Sequence, residues 1–170
     1  MRKIAILLGI VICFANVLQA QSVAYINSET ILEKIPEYVN AQEQIKRMND
    51  QYEAQIENEI KSIETLFNQY QAEKSRLSDS QRQIKENDII TKERAVKERQ
   101  NRIFGQDGEM SEYSKNLLSP IMDKLKTAID AVAKEVGATM VFDLSVTQGV
   151  VYNGTSGDIT QRVMSKLNVR

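Results

Sequence analysis

Two lines of large apolar residues recur at every seventh position, and they mirror one another about a single point of the chain. The first runs Ile56, Ile63, Tyr70, Leu77, and the second runs Ile89, Val96, Ile103, Met110, Leu117. A seven-residue apolar repeat puts its members on one stripe of a helix, and such a stripe asks for a partner helix along its length. The two lines fit an antiparallel hairpin, in which facing positions have a constant sum. Ile56 with Ile103, Ile63 with Val96 and Tyr70 with Ile89 each add to 159, which centres the fold-back between Asp79 and Ser80. Leu77-Ser78-Asp79-Ser80 is the only helix-stop and N-cap cluster in that stretch. The middle of the chain is therefore one long arm that runs out and returns, a shape suited to grasping or scaffolding rather than to catalysis.

Arg2 and Lys3 precede an apolar run, Ile4 to Val17, interrupted only by Asn16, and Leu18-Gln19-Ala20 closes it with a small residue. Residues 1–20 thus read as a secretory signal peptide cleaved after Ala20. A retained membrane anchor is the rival reading, but the apolar run falls short of the ~20 residues a span needs. Cys13 sits inside that run behind bulky Ile12, which argues against a lipoprotein site. Cleavage removes this single cysteine and leaves a chain with neither Cys nor His, so no disulfide and none of the commonest metal ligands. The whole chain has 22 Lys and Arg against 23 Asp and Glu, and losing Arg2 and Lys3 takes the net charge from −1 to −3. That balance gives no electrostatic case for nucleic acid. The leader has no twin-Arg motif, so the expected route is general secretion to a compartment outside the cytoplasm.

Along the mature chain, Val23-Ala24-Tyr25-Ile26 reads as a short strand, and Asn27 or Ser28 can cap a helical turn through Leu32 and Ile35. Pro36 suits the first position of the outgoing helix, where its missing N–H costs nothing. The outgoing limb, Glu37 to Ser78, is 42 residues long, or roughly 60 Å. Ser119-Pro120 repeats the proline signal and opens a further helix with Ile121, Leu125, Ile129, Val132 and Val136, closed by Gly137. Thr139 to Leu144 and Gly149 to Tyr152 are strand candidates joined by a hairpin loop at Ser145 to Gln148, and Asp158 caps a last helix. The expected division is an arm at 37–118 with its tip near 78–80, and a body of 21–36 with 119–170. From Ser22 onward that body has only 67 residues and open strand edges, and oligomerisation is the help available to it.

Enzymatic chemistry finds little support. A serine nucleophile wants a positioned base and the chain has no histidine. Acidic pairs such as Glu53 with Glu57 are solvated surface, and no Gly-rich phosphate cradle is present. Asn153-Gly154-Thr155 matches a glycosylation sequon, but Asn-Gly is first of all a turn.

Val23-Ala24-Tyr25-Ile26-Asn27-Ser28-Glu29, followed by Leu32-Glu33-Lys34-Ile35-Pro36-Glu37-Tyr38, resembles the opening of the Skp/OmpH family of periplasmic chaperones in its Bacteroidetes-like form. Leu118-Ser119-Pro120-Ile121, Ala128-Ile129 with Val132-Ala133-Lys134-Glu135, Val141-Phe142-Asp143 and Gly157-Asp158-Ile159-Thr160 extend the likeness over essentially the whole mature chain. The resemblance implies an α+β fold: a small β-rich trimerisation body carrying a long antiparallel coiled-coil arm, three copies making a jellyfish-like homotrimer. It implies further that the arms enclose a cavity that holds unfolded outer-membrane proteins in the periplasm without ATP or any cofactor. A structural coiled-coil spacer of the cell envelope is the alternative. One departure concerns charge, since some family members are strongly basic. Here Glu73 to Arg99 carries eight basic against six acidic residues, and Glu37 to Glu64 three against seven. The tip is the more positive end, and its charges read as a solvated helix face, with contact to lipopolysaccharide or an anionic membrane as the alternative.

For such a cavity, the residues expected as client contacts are apolar positions with no apolar partner across the seam. The sum of 159 sets Ile60 opposite Arg99, Phe67 opposite Lys92, Ile90 opposite Gln69 and Phe104 opposite Gln55. These four either line the cavity or widen the seam. Gly105 and Gly108 interrupt the return helix at a cost of roughly 1 kcal/mol each relative to Ala. They are read either as a mid-arm hinge or, for Gly105, as room for close packing on Ala54.

Overall fold

The computed structural model describes residues 22–169, so the expected signal peptide, Cys13 and the expected start at Gln21 lie outside the described residues. In chain order the elements are β1 (Ser22–Ile26), α1 (Ser28–Leu32), α2 (Pro36–Glu73), α3 (Asp79–Phe104), α4 (Glu109–Glu135), β2 (Ala138–Asp143) and α5 (Thr160–Lys166). The chain divides into two compact units, Pro36–Ile121 and a second made from residues 22–35 with 122–169.

The first unit is a helical hairpin. Helix α2 starts at Pro36 and runs 38 residues, about 57 Å at 1.5 Å per residue. A single 3₁₀ turn at Lys74–Arg76 ends it, and Leu77 leaves the helix with extended dihedrals. Ser78 then caps α3 by a reciprocal arrangement: its hydroxyl accepts from Gln81 N–H, and the Gln81 side chain accepts from the Ser78 N–H. Two otherwise orphaned donors at the helix start are satisfied at once, which pins the turn. Ile56, Ile63, Tyr70, Ile89, Val96, Ile103 and Met110 form one buried cluster, with Leu77, Leu66 and Tyr52 packed against it. The two heptad lines are thus the seam as far as Met110, while Leu117 lies outside that cluster.

Of the two interruptions that the sequence suggests in the return limb, at Gly105 and Gly108 and at Ser119-Pro120, only the first is formed. Pro120 lies inside α4 rather than at the start of a helix, so the expected boundary at Ser119-Pro120 is corrected. Proline removes one backbone hydrogen bond there, but residues on both sides of it, Met110 and then Leu125, Ala128 and Val132, are buried, and that burial sustains the helix through it. The break falls instead at residues 105–108, between α3 and α4. Ile103 and Met110 are seven apart and both buried across it, so the heptad phase survives the interruption.

The second unit holds a two-stranded sheet in which β1 and β2 run parallel, with Val23 beside Met140, Ala24 beside Val141, Tyr25 beside Phe142 and Ile26 beside Asp143. Parallel neighbours need a long crossover, and here everything from 27 to 137 supplies it. Asn27 caps α1 by accepting from Thr30 N–H at 3.0 Å. Gly137, at φ +68°, ends α4 in the left-handed conformation that favours glycine. Ala24, Ile26, Ile31, Leu32, Val132, Ile159, Val163 and Met164 are buried. The expected hairpin between β2 and Gly149–Tyr152 is not formed: β2 takes its partner from β1, and Gly149 turns the chain at φ +85°. Residues 149–152 therefore form no strand, and Val151 is 99% exposed.

Candidate functional site

The four expected contact residues are all exposed on the arm: Ile60 41%, Phe67 46%, Ile90 51% and Phe104 36%. The structure separates the two flanks of the seam, which the sum of positions does not do. On one flank, Arg99 of α3 donates to Gln55 Oε1 at 2.7 Å and pairs with Glu59, and Lys85 reaches Glu73 at 2.9 Å. Those ties bridge the two limbs. On the other flank lies a groove of about 440 Å³ lined by Ile60, Ile63, Glu64, Glu93, Val96, Lys97 and Gln100. It is continued by a second of about 350 Å³ lined by Ile63, Glu64, Phe67, Asn68 and Glu93.

Ile60 therefore sits beside Lys97 and Gln100, not opposite Arg99, and Phe67 beside Glu93 rather than Lys92, which pairs with Asp88 on its own helix at 2.6 Å. Ile60 lies four residues beyond seam position Ile56, whereas Arg99 lies three beyond Val96, and these offsets point to opposite sides of a helical stripe. Ile90 is seven residues before Lys97 and falls on the groove flank by periodicity. Phe104 differs from the expectation, because its ring meets Tyr52 edge-on, 6.4 Å between centroids at 86°. It has an aromatic partner across the hairpin, where Gln55 was expected.

Hydrogen bonds at the seam hold two phenols in their neutral form. The bond to Glu86 raises the pKa of Tyr70 above its ordinary value, and burial adds to it. The bond to Glu109 does the same for Tyr52. Lys74 stands 5.3 Å over the Tyr70 ring and 3.7 Å from Glu86, so this end of the arm is knitted by one ion-pair and cation–π cluster. With Arg82 paired to Asp79 at 2.9 Å as well, many of the tip's charges are used within the arm.

Gly105 and Gly108 lie at the break. A Cβ on Gly105 would overlap the carbonyl oxygen of Asn101, and one on Gly108 would lie 2.6 Å from that of Ile103. Nothing of Ala54 comes within 4 Å of the Gly105 position, so close packing on Ala54 is corrected. The intimate contact is with the carbonyl ends of α3 itself.

In the second unit the sheet shows an apolar face to solvent: Val23 and Met140 are each 54% exposed, with Phe142 beside them. Val23 and Phe142, together with Tyr25, Val150 and Tyr152, bound a recess of about 530 Å³. Behind the sheet, Asp143 Oδ1 accepts from the N–H groups of Ser28 and Ser145, both at 3.1 Å, and from the Ser145 hydroxyl at 2.8 Å. Burial pushes this carboxyl up, but the bonds from Ser28 and Ser145 outweigh it and hold the pKa below its usual value. Sequence reasoning missed this ligature, whose only trace is a strand that ends on Asp143 with a serine two residues on.

The described residues thus comprise a long paired helical hairpin with apolar side chains exposed along it, and a small α+β unit. The family model described as "Outer membrane protein (OmpH-like)" matches residues 22–167. The chain belongs to the OmpH-like family. It is 23% identical over 160 residues to "Chaperone protein Skp" of Yersinia enterocolitica, covering 94% of each. Its fold is similar to the crystal structure of an OmpH-like protein from Caulobacter crescentus, with a TM-score of 0.66 at 16% identity over 86% of this chain and 83% of the other.

Proposed function

We propose that this protein is a nucleotide-independent holding chaperone of the periplasm. Three copies join through the body and their arms enclose unfolded outer-membrane proteins. The observation that carries the reading is the distribution of exposed apolar residues on the arm. Ile60, Phe67 and Ile90 are large, exposed and gathered away from the flank that Arg99 and Lys85 tie. Weak, distributed contacts of this kind suit a client that must later be released without nucleotide. The name of the Yersinia relative supports a chaperone role. Self-association is supported by the apolar sheet face and the unpaired segment 149–152, since a two-stranded sheet is marginal alone. Chain 37–118 serves as the arm, and residues 1–20 direct export and are removed.

The test is light scattering after a denatured outer-membrane barrel protein is diluted into buffer with the mature chain and no nucleotide. Holding predicts suppressed scattering near one assembly per client. A spacer of the envelope predicts no effect, and that result would replace this reading.

A further inference from the structure

We propose that the groove on the open flank of the arm selects client segments in which an apolar side chain lies about three residues from an arginine or lysine. This deepens the holding reading and rests on it. The two lobes of the groove share Ile63, Glu64 and Glu93, so they form one continuous channel along the seam. The larger lobe offers Ile60, Ile63 and Val96 to an apolar side chain. The smaller lobe offers the Phe67 ring with Glu64 and Glu93, and no cation lines it.

Those two carboxylates are the decisive feature. Glu64 comes from the outgoing limb and Glu93 from the returning one, and neither makes an ion pair or a hydrogen bond among the described residues. Several carboxylates of the arm are tied, Glu57 to Lys61, Glu59 to Arg99, Glu73 to Lys85 and Glu86 to Lys74, and of those without a partner Glu64 and Glu93 are the two that line this groove. Two unpaired carboxylates flanking an exposed aromatic ring present complementary charge and a cation–π face to a guanidinium or ammonium. Lys97 lies in the larger lobe, where it disfavours a second cation and so leaves the smaller lobe to the cation of the segment. Ile60 and Phe67 are seven residues apart on α2, or about 10 Å along the helix, and an extended chain covers that in about three residues.

The experiment titrates the full mature protein into labelled ten-residue peptides that differ at one position: Leu-x-x-Arg, Leu-x-x-Gln and Leu-x-x-Glu. Fluorescence anisotropy should show the Arg peptide binding roughly tenfold tighter than the Glu peptide at low salt, with the ratio falling as salt screens it. The paired change Glu64→Gln with Glu93→Gln should bring the ratio to near one, and Glu64→Lys with Glu93→Lys should invert it. Phe67→Ala should weaken the Arg peptide most. Equal binding of the three peptides by a protein that still suppresses client aggregation would overturn the groove proposal and leave holding intact. Absence of both peptide binding and suppression would remove holding and the groove with it.

Discussion

Gly105 donates its N–H to the carbonyl oxygen of Asn101 at 2.8 Å, and a Cβ on Gly105 would overlap that same oxygen. The residue therefore closes α3, and its lack of a side chain is what lets the chain turn away from the helix. Gly105→Ala should force the last turn of α3 to shift and lower the melting temperature, at a cost of about 1–3 kcal/mol. A raised melting temperature would show that helix propensity governs the position instead. If the break also serves as a hinge, the variant should hold a narrower range of client sizes.

The Asp143 ligature gives the body an acid sensitivity. Its folded pKa is depressed from the ordinary 3.8. The stability it contributes is therefore complete above about pH 4 and is lost as pH falls below that value towards the folded pKa. Melting curves followed by circular dichroism should show a steeper loss between pH 4 and pH 2.5 in the natural protein than in Asp143→Asn. Parallel curves for the two would mean that the bonds from Ser28 and Ser145 do not distinguish the charged form.

Seam and flank should respond in opposite ways to truncation. Ile103 is 2% exposed within the seam cluster, and Ile103→Ala should cost about 2–5 kcal/mol. Ile60→Ala and Phe67→Ala, at exposed positions, should stay within about 0.5 kcal/mol of the parent while reducing the suppression of client aggregation. Equal holding by the flank variants would assign these side chains to the arm's own packing.

The heptad lines made the hairpin legible because each seam residue must find a partner at one height, and arithmetic on Ile56, Ile63 and Tyr70 returns that height. The same arithmetic says nothing about the side of the stripe on which Ile60 or Arg99 falls, so the expected partners of Ile60 and Phe67 were misassigned. Pro120 misled because local proline preference was weighed without the burial that carries α4 through it. The pairing of β1 with β2 joins residues 115 or more apart in sequence, and no local pattern reports it. Val150-Val151-Tyr152 has strand-like composition yet stays unpaired in a single chain, which is the signal a partner copy would explain.

If the exposed faces of Val23, Met140 and Phe142 are covered by other copies, dilution should lower the melting temperature, by mass action. Sedimentation should then show trimer giving way to unfolded chain, with Met140→Asp and Phe142→Asp shifting the transition to higher protein concentration. A monomer with concentration-independent melting would contradict trimerisation through this face.

Arm length should set the size of the client that the protein can hold. Deleting residues 63–69 together with 90–96 removes one heptad from each limb and keeps both the pairing and the phase of the seam. The trimmed chain should remain helical and assembled. Light scattering with a small and a large unfolded barrel protein, without nucleotide, is the direct measurement. Suppression of the small client should fall no further than in the full-length arm carrying Phe67→Ala with Ile90→Ala, and suppression of the large one should fail. Undiminished suppression of the large client by the trimmed protein would contradict a cavity between arms.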